Sequence, residues 1–156
     1  MSDSGCIAVI PARYQSSRFP GKPLAEILGQ PMIRRVYEQV AATPAVDDVW
    51  VATDDERVAK AVQAFSGQVM MTDPDLPSGS DRVAEVVNDR DPALVLNVQG
   101  DEPLVNPDVL ERLIETMQDS DTAPEMATLA VPVDREEGRI DDPNNVKVVV
   151  DSRWNA

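Results

Sequence analysis

Short apolar runs alternate with segments of helical period along this chain, and that alternation restricts it to one architecture. Residues 5–10 (GCIAVI) form a continuous apolar run stopped by Pro11, the pattern of a strand buried on both faces. Pro31 suits a first helical turn, and Ile33, Val36, Tyr37, Val40 and Ala41 follow on one stripe. DDVWVATD (47–54) reads as a second strand, and a helix with Val58, Val62 and Phe65 on one face ends near Gly67. QVMMT (68–72) is a third strand, and Ser80 or Asp81 is expected to cap a short helix over 82–88. ALVLNV (93–98) is the fourth strand, followed by a helix carrying Val109, Leu110, Leu113, Ile114 and Met117. MATLAVPV (126–133) and NVKVVVD (145–151) read as the last two strands. Strands separated by helices imply right-handed crossovers, hence an α/β fold: a doubly wound, mostly parallel sheet with helices on both faces. With 156 residues and no interdomain linker, a single domain is expected.

Composition narrows the chemistry. Histidine is absent, which excludes triads built on His, His-ligated zinc and His general bases. Carboxylates, Lys, Arg and metal ions must carry any catalysis. Cys6 is the only cysteine, so no internal disulfide can form, and its place in CIAVI marks a buried, inert thiol. A net charge of −14 disfavours nucleic acid and anionic membranes as partners, and no apolar run is long enough to span a bilayer. The charge is uneven. Residues 1–40 hold five Lys/Arg against three Asp/Glu, so a small polyanion could be bound there even though the remainder is strongly acidic.

In a parallel sheet ligands sit beyond the carboxyl ends of the strands, where loops 11–23, 73–80 and 99–103 emerge. The first carries Arg13, Arg18 and Lys22 with no acid among them. A triphosphate needs fixed positive charge and close backbone approach; the arginines can grip two oxygens at once and Gly21 permits the approach. It is not a Walker loop, which needs Gly where Ser16 stands and Ser or Thr where Pro23 stands. No GxGxxG occurs either, which makes a nicotinamide-dependent dehydrogenase remote. In the third loop Asp101 follows the fourth strand, and Asp54 and Asp55 read as helix-capping acids after the second. Trp50, Met70 and Met71 are expected in the core.

The string IPARYQSSRFPGKPL resembles the amino-terminal signature of nucleotide-sugar pyrophosphorylases, in the form shared by cytidylyltransferases of 2-keto sugar acids. VATDDERVAKAV, PSGSDRVAEVV, LNVQGDEPLV, MATLAVPV and DPNNVKVVVD narrow the resemblance to the cytidylyltransferases of 3-deoxy-manno-octulosonate (Kdo), in register from about residue 7 onward. The resemblance implies transfer of CMP from CTP to the anomeric hydroxyl of Kdo with release of pyrophosphate, for lipopolysaccharide synthesis. It makes Asp101 a ligand of Mg²⁺ and gives Pro11, Ala12, Arg13, Arg18 and Lys22 to nucleotide binding, with Arg13, Lys22 and Asp101 catalytic. It gives Ser78 and Arg82 to the cytosine and ribose, and Gln99 to the octulosonate. The second loop reads SGSD where the family usually has SGTE, a conservative departure.

The family runs on past the position of Ala156 into a segment that supplies most acceptor contacts, much of a homodimer interface and a second metal-binding Asp. The chain is therefore expected to hold the nucleotide half and, alone, to bind CTP weakly and turn over poorly; the full-length product is expected to be a cytoplasmic homodimer. Sister enzymes acting on sialic acid or 8-amino-Kdo, and a CTP-binding fragment without catalysis, are the alternatives.

Overall fold

The computed structural model describes residues 5–15, 19–119, 124–133, 140–143 and 145–151. Residues 1–125 and 126–156 form two compact units. Among the described residues the first holds every strand and α-helix: strands β1 (Cys6–Pro11), β2 (Glu26–Ile27), β3 (Gln30–Pro31), β4 (Asp48–Thr53), β5 (Gln68–Met71) and β6 (Leu94–Asn97), and helices α1 (Met32–Ala41), α2 (Glu56–Ala64), α3 (Gly79–Val87) and α4 (Pro107–Gln118).

Four strands lie in one parallel sheet in the order β5-β4-β1-β6. The period-2 alternation of each strand divides its side chains between two cores. Cys6, Ala8, Ile10, Val49, Val51 and Leu96 meet Ile33, Val36 and Val40 of α1, Val58 and Val62 of α2, and Leu110 and Ile114 of α4. Val9 and Ala52 point the other way, onto Val83 and Val86 of α3, with Trp50 and Met70 packed alongside. Met71, expected in the core, is instead exposed, because β5 is an edge strand with no helix over that position. Three helices thus cover one face and α3 the other, the doubly wound arrangement the strand and helix spacing predicts.

The helix ends follow from cap chemistry. Asp55 caps α2 by accepting from the backbone N–H of Arg57, and Asn106 caps α4 ahead of Pro107 by accepting from that of Asp108. Helix α3 starts three residues before its expected first residue, with Ser78 as the cap in place of Ser80 or Asp81. Its hydroxyl accepts from the Asp81 N–H at 3.2 Å and donates to the Asp81 carboxylate at 2.5 Å, so Asp81 holds the capping hydroxyl in place.

Two departures concern strands. Residues 26–31, where the sequence suggests no strand, contain a hairpin of two-residue strands whose turn residues, Leu28 and Gly29, both have positive φ (51° and 73°). The second unit forms no strand among its described residues, although 126–133 and 145–151 were expected to be strands. Those segments have the side-chain pattern of strands but no ladder partner, and Val131, Val146 and Val149 are exposed, Val146 to 96%. Apolar alternation supplies a face; only a neighbouring backbone makes a strand.

Candidate nucleotide site

Sheet order decides where a ligand can sit. From β1 the chain winds outward through β4 to β5, then returns past β1 to β6, with its crossover helix α3 on the opposite face. The order reverses between β1 and β6, and the loops leaving those two strands diverge to open a crevice. A recess of about 150 Å³ lies there, lined by Pro11, Ala12, Arg13 and Gln15 from the first loop, Lys22 and Pro23 beyond it, and Gln99, Gly100 and Asp101 after β6.

The first loop is held open by its own backbone. The Gly21 N–H donates to the Tyr14 carbonyl at 2.7 Å, and Gly21 sits at φ 74° with the Tyr14 ring 3.2 Å from where a Cβ would stand. Only glycine meets both conditions without strain. A 3₁₀ turn, Lys22–Leu24, follows with Pro23 buried, and this turn aims Lys22 back toward β6. Tyr14 is clamped from its other neighbour as well: the Arg57 guanidinium lies 3.3 Å from its ring centroid while gripping Asp55 at 2.9 and 2.6 Å. That grip holds the Asp55 carboxyl below the usual carboxylate range. Neither Tyr14 nor Arg57 stands out in the sequence as a site residue, because a cation–π contact between residues 43 positions apart leaves no local signature.

Opposite, the loop after β6 presses against the first. A Cβ on Gly100 would lie 2.8 Å from the Pro11 carbonyl oxygen, so this position needs glycine for the two loops to close. Asp101 is thereby brought to Lys22, with Nζ 2.5 Å from Oδ2, both side chains part-exposed. Arg13 lines the same recess and donates from Nη2 to the Leu76 carbonyl at 2.5 Å. Gln99 also lines it, its amide 3.4 Å from the Asn97 side-chain oxygen.

The structure therefore gathers Pro11, Ala12, Arg13, Lys22, Gln99 and Asp101 around one space. Arg18 lies outside the described residues. Ser78 stands at the start of α3, where a Cβ on Gly79 would lie 3.4 Å from the Pro11 ring, next to the recess rather than in its wall. Arg82 is elsewhere. Its side chain, expected to face cytosine and ribose, is fully buried (0% exposed) and donates to Asp54 Oδ2 and Thr72 Oγ1, both at 2.5 Å, and to the Asp73 carbonyl at 3.1 Å. Asp54, read as a helix-capping acid, is that buried cation's counter-ion; Asp55 alone caps α2. The thiol of Cys6 is buried and pushed up to about 11 by burial and then by the Asp47 carboxylate, which fits an inert core residue.

Among the described residues no group of three or more Cys, Asp or Glu side chains could cage a metal ion by themselves. A hard cation held through one carboxylate and the oxygens of a bound phosphate chain is compatible with Asp101 as the protein donor. No helix among those residues is long and apolar enough to cross a membrane.

Known proteins resemble this chain along most of its length. A 3-deoxy-manno-octulosonate cytidylyltransferase of Syntrophotalea carbinolica is 52% identical over 147 residues, 94% of this chain and 58% of that protein. An 8-amino-3,8-dideoxy-manno-octulosonate cytidylyltransferase of Shewanella halifaxensis is 48% identical over 151 residues, 95% of this chain and 61% of that one. Among solved structures, a CMP:2-keto-3-deoxy-manno-octonic acid synthetase complexed with CTP superposes with a TM-score of 0.83 at 44% identity, covering 96% of this chain and 61% of the other. The chain thus spans about three-fifths of the length of these relatives. Residues 7–156 match the family described as cytidylyltransferase, and the chain belongs to that family.

Proposed function

We propose that this chain carries the nucleotide half of a cytidylyltransferase that moves CMP from CTP to the anomeric hydroxyl of Kdo, releasing pyrophosphate. The observation that carries the reading is the meeting of Lys22 with Asp101 at 2.5 Å in a recess that Arg13 also lines. A cationic loop and an acid that share one small space suit a triphosphate bound with a divalent cation; either alone would be unremarkable on a protein surface.

Phosphoryl transfer needs in-line placement and neutralised charge more than covalent help. In the proposed reaction the anomeric hydroxyl gives up its proton to solvent and its oxygen forms a bond to the α-phosphorus as the bond from that phosphorus to the oxygen bridging to the β-phosphate breaks. Lys22 Nζ exchanges Asp101 for phosphate oxygens, and with Arg13 it stabilises the negative charge that collects on the departing pyrophosphate. Asp101, released from Lys22, would hold Mg²⁺, whose chemistry when bound is to neutralise the α-phosphate and help ionise the sugar hydroxyl. Gln99 is placed to meet the acceptor, and Arg18 adds to the phosphate contacts. The remaining length of the relatives is proposed to complete the acceptor side and a homodimer in the cytoplasm, so this chain alone binds CTP weakly and turns over slowly.

The 8-amino sugar acid is the second reading, kept because an enzyme named for it is nearly as similar, at 48% identity, as one named for Kdo, at 52%. A pyrophosphate-release assay with CTP, Mg²⁺ and each acid in turn, on a chain of the relatives' length, decides between them. Release with Kdo in preference to 8-amino-Kdo and sialic acid is expected; release with none of them would overturn the reading.

A further inference from the structure

The ion pair between Arg82 and Asp54 is the most deeply buried charge in the described residues, and the nucleotide reading leaves it without a task. Arg82 belongs to α3, Asp54 to the loop after β4, and Thr72 and Asp73 to the loop after β5, so one guanidinium ties three segments at the carboxyl edge of the sheet. Burying a guanidinium is costly unless it is paired and hydrogen-bonded, and even here its Nε finds no partner. An apolar side chain would fill the volume at lower cost, so stability alone is a poor account of an arginine at this position.

What it fixes is the loop over 72–76. That loop is gripped at two points by two arginines of different kinds. Arg82 holds its root through Thr72 and the Asp73 carbonyl, with no exposure to solvent. Arg13 holds its middle through the Leu76 carbonyl but also lines the recess, where a phosphate chain would compete for the same guanidinium. Were a nucleotide to draw Arg13 away, Leu76 would lose that donor, and the Arg82 grip would be left to hold the loop ahead of the Ser78 cap of α3.

We infer that Asp54 and Arg82 are positioning residues: through Thr72 and Asp73 they set the loop that meets the nucleoside, while touching no ligand themselves. This rests on the proposed binding of CTP beside Pro11. It predicts that loosening the pair harms recognition of the nucleoside and spares that of the phosphates.

The test measures the affinity of the 156-residue chain for CTP and inorganic tripolyphosphate, in the native protein and in Asp54→Asn and Arg82→Lys, with folding checked by circular dichroism. Native protein should bind CTP more tightly than tripolyphosphate. In Asp54→Asn, CTP affinity should fall by roughly tenfold, as for misplacement of a supporting contact, while tripolyphosphate affinity changes less than twofold. Arg82→Lys, which keeps the charge but loses the fork, should lose less CTP affinity than Asp54→Asn and likewise change tripolyphosphate affinity less than twofold. Equal weakening of CTP and tripolyphosphate, or no change in either, would show a merely structural ion pair and overturn the inference. If Asp54→Asn does not fold, Thr72→Val, which removes only one acceptor of Arg82, must show the same selective loss or the inference fails. Native protein that binds CTP no better than tripolyphosphate would overturn the nucleoside-site reading itself, a separate failure visible before any variant is made.

Discussion

Lys22 occupies two positions in the proposed cycle, on Asp101 before the nucleotide arrives and on the phosphates afterwards, and this dual role makes its removal informative. In Lys22→Ala the triphosphate loses one of several cationic contacts, but Asp101 is freed to bind the cation that comes with it, so the two effects on CTP affinity partly cancel. No such compensation exists for the leaving pyrophosphate. Turnover should therefore fall by about 10²–10³-fold, against a change in the dissociation constant of CTP of about tenfold or less, measured by pyrophosphate release and by titration calorimetry. Equal losses would remove Lys22 from the chemical step. The pairing itself was legible in outline, because a loop rich in cations and an acid after a strand end both point to the same edge of a parallel sheet. Arg82 was not. Its partners stand 28 and 10 positions away, and no local pattern distinguishes an arginine that turns inward from one on a helix surface.

At the scale of elements, legibility followed the strength of the periodic signal. The central strands β1 and β4 are largely buried and the edge strands β5 and β6 only in part, but all four stand out as short, mostly apolar runs, so each falls within a residue or two of its expected bounds. The β2–β3 hairpin has two residues per strand, too few for any alternation, and Leu-Gly at its turn lacks the usual Asn-Gly or Asp-Gly cue. That unusual choice carries a cost: Leu28 holds φ 51° with its side chain 93% exposed, so it bears left-handed strain with no burial to offset it. Leu28→Asn should stabilise the chain by about 0.5–1 kcal/mol, seen as a rise of a few degrees in the thermal midpoint, with CTP affinity unchanged because the turn lies outside the recess. A fall in the midpoint would mean that Leu28 is covered by something in solution.

For the molecule as a whole, the distribution of charge opposes fold stability to ligand binding. The chain carries a net −14, so its acidic surface repels itself, while the recess presents Arg13 and Lys22 against Asp101 alone. Added salt screens both fields, with a Debye length of roughly 10 Å at 0.1 M and roughly 3 Å at 1 M. Screening the self-repulsion favours the compact state; screening the recess weakens its pull on a polyanion that must otherwise approach a surface of its own sign. Raising sodium chloride from 0.05 to 0.5 M, which leaves the packed core untouched, should thus lift the thermal midpoint while CTP binding weakens by about tenfold or more, the two trends running in opposite directions over one titration. The same titration on Lys22→Ala should keep the rise in midpoint and flatten the loss of affinity, because the recess then has less positive charge to screen. If CTP affinity in the native chain holds constant across that range, the anion is not met by the cations of the first loop, and the assignment of Arg13 and Lys22 to the phosphates falls with it.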